Sequence, residues 1–140
     1  MIYIALTTIF YTIALLAIAQ ASRRLDSTFA TAIINTLSAI IPIVLSVKLV
    51  EKYPISQYRD GWFYAIGAGI AIALFTLFLA KSFVFNKVGL VTPIVYGGSL
   101  VGTTLLASWL FGEKIQPLQG WGIAVIVLGI VLVVMSVQKA

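Results

Sequence analysis

Thr28, Thr31, Asn35, Ser38, Pro42 and Ser46 stand three or four residues apart in an otherwise apolar run, which places them along one face of a helix. Thr92, Tyr96, Ser99 and Thr103 repeat that spacing further along the chain, offset from a glycine face formed by Gly98 and Gly102. Hydroxyls and an amide can hydrogen-bond a polar solute or a neighbouring helix, but they supply no activated nucleophile and no set of metal ligands. The chain has no histidine and no cysteine, so thiol chemistry, disulfides and the usual zinc or copper sites are all excluded. Its four acidic residues, Asp26, Glu51, Asp60 and Glu113, fall at or between the ends of apolar runs, so no carboxylate pair is placed for general acid and base work. The pattern predicts binding without catalysis: no catalytic residue, no metal and no cofactor.

The elements that carry these side chains follow from composition. Of 140 residues, 61% are apolar and 9% charged, against about 25% charged in soluble domains. Cutting the chain at its charges leaves five uncharged runs, Met1 to Ser22, Ser27 to Val47, Gly61 to Ala80, Val88 to Gly112 and Ile115 to Gln138. Each reaches the roughly 20 residues a helix needs to cross a hydrocarbon core. Runs such as Ile123 to Val134 lack the alternation of membrane strands, and helices satisfy their own backbone groups in lipid. The expectation is an all-α integral membrane protein, multi-pass in a cell membrane, with one five-helix domain over 1–140 and spans near 2–22, 27–50, 61–82, 88–111 and 117–137. Ala19-Gln20-Ala21 imitates a cleavage site, but the first run lacks a basic leader and is too long for a signal peptide. The net charge of +5 is spread over separate short loops, which argues against nucleic acid as a partner and for a lipid bilayer.

An odd number of spans puts alternate loops on opposite sides. One set holds Lys48, Lys52, Arg59 and Lys114, the other Arg23, Arg24, Lys81, Lys87 and Lys139. So even a division does not fix an orientation by the positive-inside rule. It is compatible with a weak bias set by the first helix or with dual topology. Lys48 and Lys81 are expected to snorkel to the interface, and Trp62 and Trp121 to anchor there. A Lys81 turned inward would instead face an anionic substrate.

Inside the spans, the polar stripes admit two readings, interhelical hydrogen bonding and cavity lining. Pro42 and Pro93 each remove one backbone donor, freeing the carbonyls of Ser38 and Gly89, and serve either as static kinks or as hinges. Pro93 is the better hinge if its span begins near Val88. The fifth span has no ligand chemistry; Gly122, Gly129 and Ser136 recur every seven residues and offer a thin face for helix packing or dimer contact, as do Gly98 and Gly102 in the fourth.

Several residues in combination carry a resemblance: Pro93 early in the fourth span, Leu110-Phe111-Gly112-Glu113 at its end, the short loop to Gln119-Gly120, and a last helix marked by Gly129. The stretch from Lys87 to Val137 resembles the closing part of an EamA-type domain of the drug/metabolite transporter superfamily, and the five-span length is that of one such unit. The first two spans match by hydropathy more than by residues. Most members resemble two units in tandem, inverted around a central cavity. The resemblance therefore implies that a single unit is completed by antiparallel homodimerisation, which the even loop charges would permit. It also implies a cavity among the first four helices and a peripheral fifth. The smaller four-helix multidrug members bind protons and cationic drugs on a glutamate in their first helix; here the equivalent span offers Asn35 and Ser38, which puts that mechanism in doubt. Glu113 matches a loop glutamate read as a structural cap.

The function expected on these grounds is transport of a small polar or amphipathic metabolite, by alternating access in an antiparallel dimer, with Tyr11, Asn35, Ser38, Tyr64, Tyr96, Ser99 and Thr103 lining a midplane site. Without a buried carboxylate, facilitated diffusion is favoured over proton antiport. The alternatives are an accessory subunit paired with another five-helix chain, or a lipid-translocating unit. The family resemblance also points to a prokaryotic plasma membrane.

Overall fold

A computed structural model describes residues 2–54 and 56–137, except for the side chains of Lys48, Val50, Glu51 and Val137. The snorkelling expected of Lys48 and the charge of Lys139 thus lie outside the described residues. Five long helices are formed, α1 (Ile2–Arg24), α2 (Ser27–Ser46), α3 (Arg59–Phe85), α4 (Val88–Phe111) and α5 (Pro117–Val137), and no strand occurs among the described residues. With 20 to 27 residues each, all five are long and apolar enough to cross a membrane. The α2 span is extended beyond Ser46 by a 3₁₀ turn, Val47–Lys52, which begins five residues after Pro42.

The helices divide into two compact units, Met1–Phe85 and Asn86–Ala140. In the first, α1, α2 and α3 all pack against one another. Every buried residue of this unit lies toward one end: Leu15, Ile18, Ala19 and Ser22 of α1, Ala30 and Thr31 of α2, and Leu79, Ala80 and Phe83 of α3. Small side chains at Ala19, Ser22, Ala30 and Ala80 let the helix backbones approach, which is how helices associate where lipid offers no hydrophobic drive. Toward the other end the same helices are open. Residues 2–14 of α1 and 59–75 of α3 are exposed throughout.

The α1–α2 turn is set by its one carboxylate. Asp26 Oδ1 accepts hydrogen bonds from the backbone N–H groups of Thr28 at 2.8 Å and Phe29 at 3.1 Å, and the Asp26 carbonyl takes the first helical bond, from Ala30, at 2.8 Å. These N–H bonds, that of Phe29 first, hold the Asp26 carboxyl below its ordinary range, with a smaller pull from the Lys81 ammonium. A carboxylate whose folded value is depressed stabilises the fold fully above its unfolded value. That contribution disappears as pH falls through the lowered one, here from about pH 4 downward. Asp26→Asn still caps but does not titrate, so its melting temperature in detergent is expected to fall less than the wild type's on acidification. Equal falls in the two proteins would show that Asp26 carries none of the acid sensitivity.

Between α2 and α3 the chain is tied by aromatic groups. Tyr53 and Tyr58 meet edge to face at 5.2 Å, the Trp62 indole N–H donates to the Tyr53 carbonyl at 3.1 Å, and the Lys52 ammonium lies 5.7 Å from the Tyr53 ring centre. A half-exposed aromatic girdle of this kind suits the membrane–water interface.

In the second unit α4 begins at Val88, which puts Pro93 within the helix. Its other end is closed by Gly112 at φ 67°, the only positive φ among the described residues. A left-handed residue lets the chain leave a helix, and glycine takes that conformation without steric cost. Pro117 opens α5 at the first helical position, where its missing N–H is no loss. The partly covered stripe of α5, Ile123, Ile126, Ile130 and Val133, follows helical spacing. On α4 this stripe meets Gly97: a Cβ there would stand 2.7 Å from Ile130 Cδ1, 3.1 Å from Ile130 Cγ1 and 3.4 Å from Ile126 Cγ2. The five glycines Gly98, Gly102, Gly112, Gly122 and Gly129 have nothing within 4 Å of such a position.

Candidate functional site

Hydroxyls within membrane helices usually satisfy themselves on their own backbone, and here most do. Thr7, Thr8, Thr12, Ser22, Thr31, Ser82 and Thr104 each donate to the carbonyl four residues earlier, while Ser38, Ser46, Ser99 and Ser136 donate to the one three residues earlier. Departures from that habit mark positions where polarity serves something else. There are two.

The first is Asn35 of α2, which reaches across to Thr76 of α3. Asn35 Nδ2 donates to Thr76 Oγ1 at 3.0 Å, and Asn35 Oδ1 lies 3.1 Å from the same oxygen. Thr76 Oγ1 is also 2.9 Å from the Ile72 carbonyl and 3.0 Å from that of Ala73. A hydroxyl has one proton, so these contacts cannot all be made together. When the proton goes to the α3 backbone, the hydroxyl oxygen accepts from Asn35 Nδ2, and Asn35 Oδ1 keeps its acceptor capacity.

The pair occupies a particular level in the unit. Along the α2 stripe, Thr31 is buried, Asn35 half-buried and Ser38 exposed. The stripe thus starts inside the packed end and emerges at the open one, with Asn35 and Thr76 at the boundary. Ser38, one turn further out, donates to the Asn35 carbonyl at 3.0 Å. Tyr11 of α1 belongs to the open half and is 42% exposed. Tyr64 stands apart from this group. It is twelve residues from Thr76, about 18 Å along α3, and lies edge to face with Phe63 at 6.0 Å.

The second departure is Thr92 of α4, whose Oγ1 is buried and has no hydrogen-bond partner among the described residues. Burying a hydroxyl without a partner costs about 1–3 kcal/mol, which makes it an unused binding group. Thr92 shares a face with Tyr96, Ser99 and Thr103, roughly 130° round the helix from Gly97, so that this stripe is turned away from the α5 contact. Tyr96 is half-buried, Ser99 and Thr103 are exposed, and the Ser99 hydroxyl donates to the Tyr96 carbonyl at 3.0 Å. The two polar groups belong to separate units.

Thr76 and Gly97 escape a reading based on stripes. Thr76 is the one hydroxyl-bearing aliphatic side chain between Gly61 and Ala80, but a lone threonine is ordinarily satisfied by its own helix, so its type does not announce a partner on another. Thr92 lies on the stripe, but spacing does not distinguish it from its neighbours.

Residues 1–135 match the sequence profile of a family described as the EamA-like transporter family. Among curated proteins and among solved structures, none matches the chain.

Proposed function

The chain belongs to the EamA-like transporter family as a multi-pass membrane protein, and on that premise we propose that it carries a small polar or amphipathic metabolite across a cell membrane, of prokaryotic type. The observation that carries this reading is the Asn35–Thr76 pair, an amide with spare hydrogen-bonding capacity where the packed end of the first unit gives way to its open end. Asn35, Ser38 and Tyr11 are the binding residues proposed for that unit, and Tyr96, Ser99 and Thr103, with Thr92 added, those proposed for the second unit. Tyr64 serves further toward the open end. Pro42 and Pro93 are the hinges. The whole acts as one five-helix domain.

The working assembly is an antiparallel homodimer with alternating access at a midplane site. What supports it is the division of the loop cations, four on one side and five on the other, and the open space around Gly98, Gly102, Gly122 and Gly129. Those glycines, with Ser136, are free to receive a second copy. Facilitated diffusion is the mode of transport, since the stripes hold no carboxylate to couple protons. A compartment-sensitive reporter fused after Ala140 is expected to be active on both sides of the membrane. Activity on one side only would remove the antiparallel homodimer and make a different five-helix chain the partner. Uptake into liposomes that requires an imposed pH gradient would remove facilitated diffusion.

A further inference from the structure

A cleft at the packed end of the first unit has no part in the transport reading. It encloses about 470 Å³ and is bounded by Arg23, Leu25 and Asp26 at the α1–α2 turn and by Lys81, Val84 and Phe85 near the end of α3. The two cations are held differently. Arg23 Nε donates to the Phe83 carbonyl at 3.3 Å, one of the last carbonyls of α3, which lack a partner within the helix. That bond fixes the plane of the guanidinium and leaves its terminal N–H groups for another acceptor. Lys81 is exposed and has no ion-pair partner among the described residues. The Asp26 carboxylate borders the same cleft, its Oδ1 held by the backbone N–H groups of Thr28 and Phe29, so two cations face one anion and the lining keeps a net positive charge.

Ser22 and Ser27 also line the cleft, and the remaining wall is apolar and open, with Leu25 46%, Val84 44% and Phe85 82% exposed. Cations beside a hydrocarbon surface, at the ends of membrane-spanning helices, match a molecule that is anionic at one end and aliphatic at the other. We propose that this cleft binds the phosphate headgroup of an anionic phospholipid. The fork of Arg23 takes two phosphate oxygens, Lys81 supplies a second charge, and the glycerol and first acyl carbons lie on Leu25, Val84 and Phe85. A free phosphate ion would use the cations but not the apolar wall.

The test is native mass spectrometry of the purified chain with equal amounts of phosphatidylglycerol and phosphatidylcholine. Phosphatidylglycerol adducts are expected to dominate. Lys81→Gln removes no hydrogen bond and should lower the adduct ratio about fivefold, Arg23→Gln with Lys81→Gln should lower it further, and Lys52→Gln at the other end should leave it unchanged. Circular dichroism establishes that each variant is folded. An adduct ratio in Lys81→Gln equal to the wild type's would overturn the assignment. So would stripping of phosphatidylglycerol by inorganic phosphate down to the ratio of the double variant, which would give the cleft to a soluble anion.

Discussion

Gly97→Leu is expected to lower the stability of the protein in detergent by about 3 kcal/mol, while Gly98→Leu, one residue away, changes it by a few tenths. The difference follows from where the helix faces point. A first carbon added at Gly97 already meets two atoms of Ile130 and one of Ile126, so a leucine must push α5 from α4 along the contact that holds the second unit together. At Gly98 the space is open. Gly97→Ala is the graded version. Its closest encounter, 2.7 Å, is with Ile130 Cδ1, the free end of a flexible side chain that can change rotamer, so the expected loss is about 1 kcal/mol. Ile130→Val deletes that atom and should restore part of the loss, a coupling that a double-mutant cycle reads directly. Equal melting temperatures for Gly97→Leu and Gly98→Leu would show that α4 and α5 are not joined at this point. In a membrane the comparison has a second use. If a partner copy covers Gly98, its leucine variant should weaken the dimer while leaving the monomer intact.

The contrast between these adjacent glycines also shows what a sequence can and cannot reveal about such a chain. Five spans are legible because a bilayer imposes length and hydropathy on each helix separately, and charges such as Arg23, Asp26 and Lys87 mark where the helices turn. Helix ends obey equally local rules, with Asp26 capping α2, Gly112 closing α4 and Pro117 opening α5. The faces on which helices meet are harder to read. In a soluble protein the buried face is the apolar one, but here nearly every position of α5 is apolar, so nothing in its pattern sets Ile126 and Ile130 apart from their neighbours. The GxxxG spacing of Gly98 and Gly102 draws attention to the wrong side of α4 for the contact within the chain, and the glycine in contact belongs to no motif. Polar stripes fare better, because a polar group in lipid must face protein or water. Even so, the stripe on α2 announces Asn35 without announcing its partner. Thr76 becomes visible only once α2 and α3 are set side by side.

That pair supports the second large effect, a loss of transport on the order of tenfold in Asn35→Ala, about 1.4 kcal/mol in the transport step. The alternative is that Asn35 only joins α2 to α3, a bond worth roughly 0.6 kcal/mol between membrane helices. The two roles separate because Thr76 shares the bond but not the amide. If the bond is all that matters, Asn35→Ala and Thr76→Val break the same interaction and must lower stability and uptake alike. If the amide also meets the solute, Thr76→Val leaves Asn35 with more hydrogen-bonding capacity to offer, and uptake should fall by no more than about threefold, within the roughly 0.6 kcal/mol of the bond itself. Asn35→Ala removes the donor and the acceptor together and should raise KM at a melting temperature close to that of Thr76→Val. The measurement is initial uptake into liposomes of whichever member of a labelled panel of amino acids, nucleosides and organic cations the wild type moves fastest, beside melting curves of both variants. Matching losses of uptake in the two variants would reduce Asn35 to helix packing and move the search for the solute to Thr92, whose buried hydroxyl has no partner among the described residues.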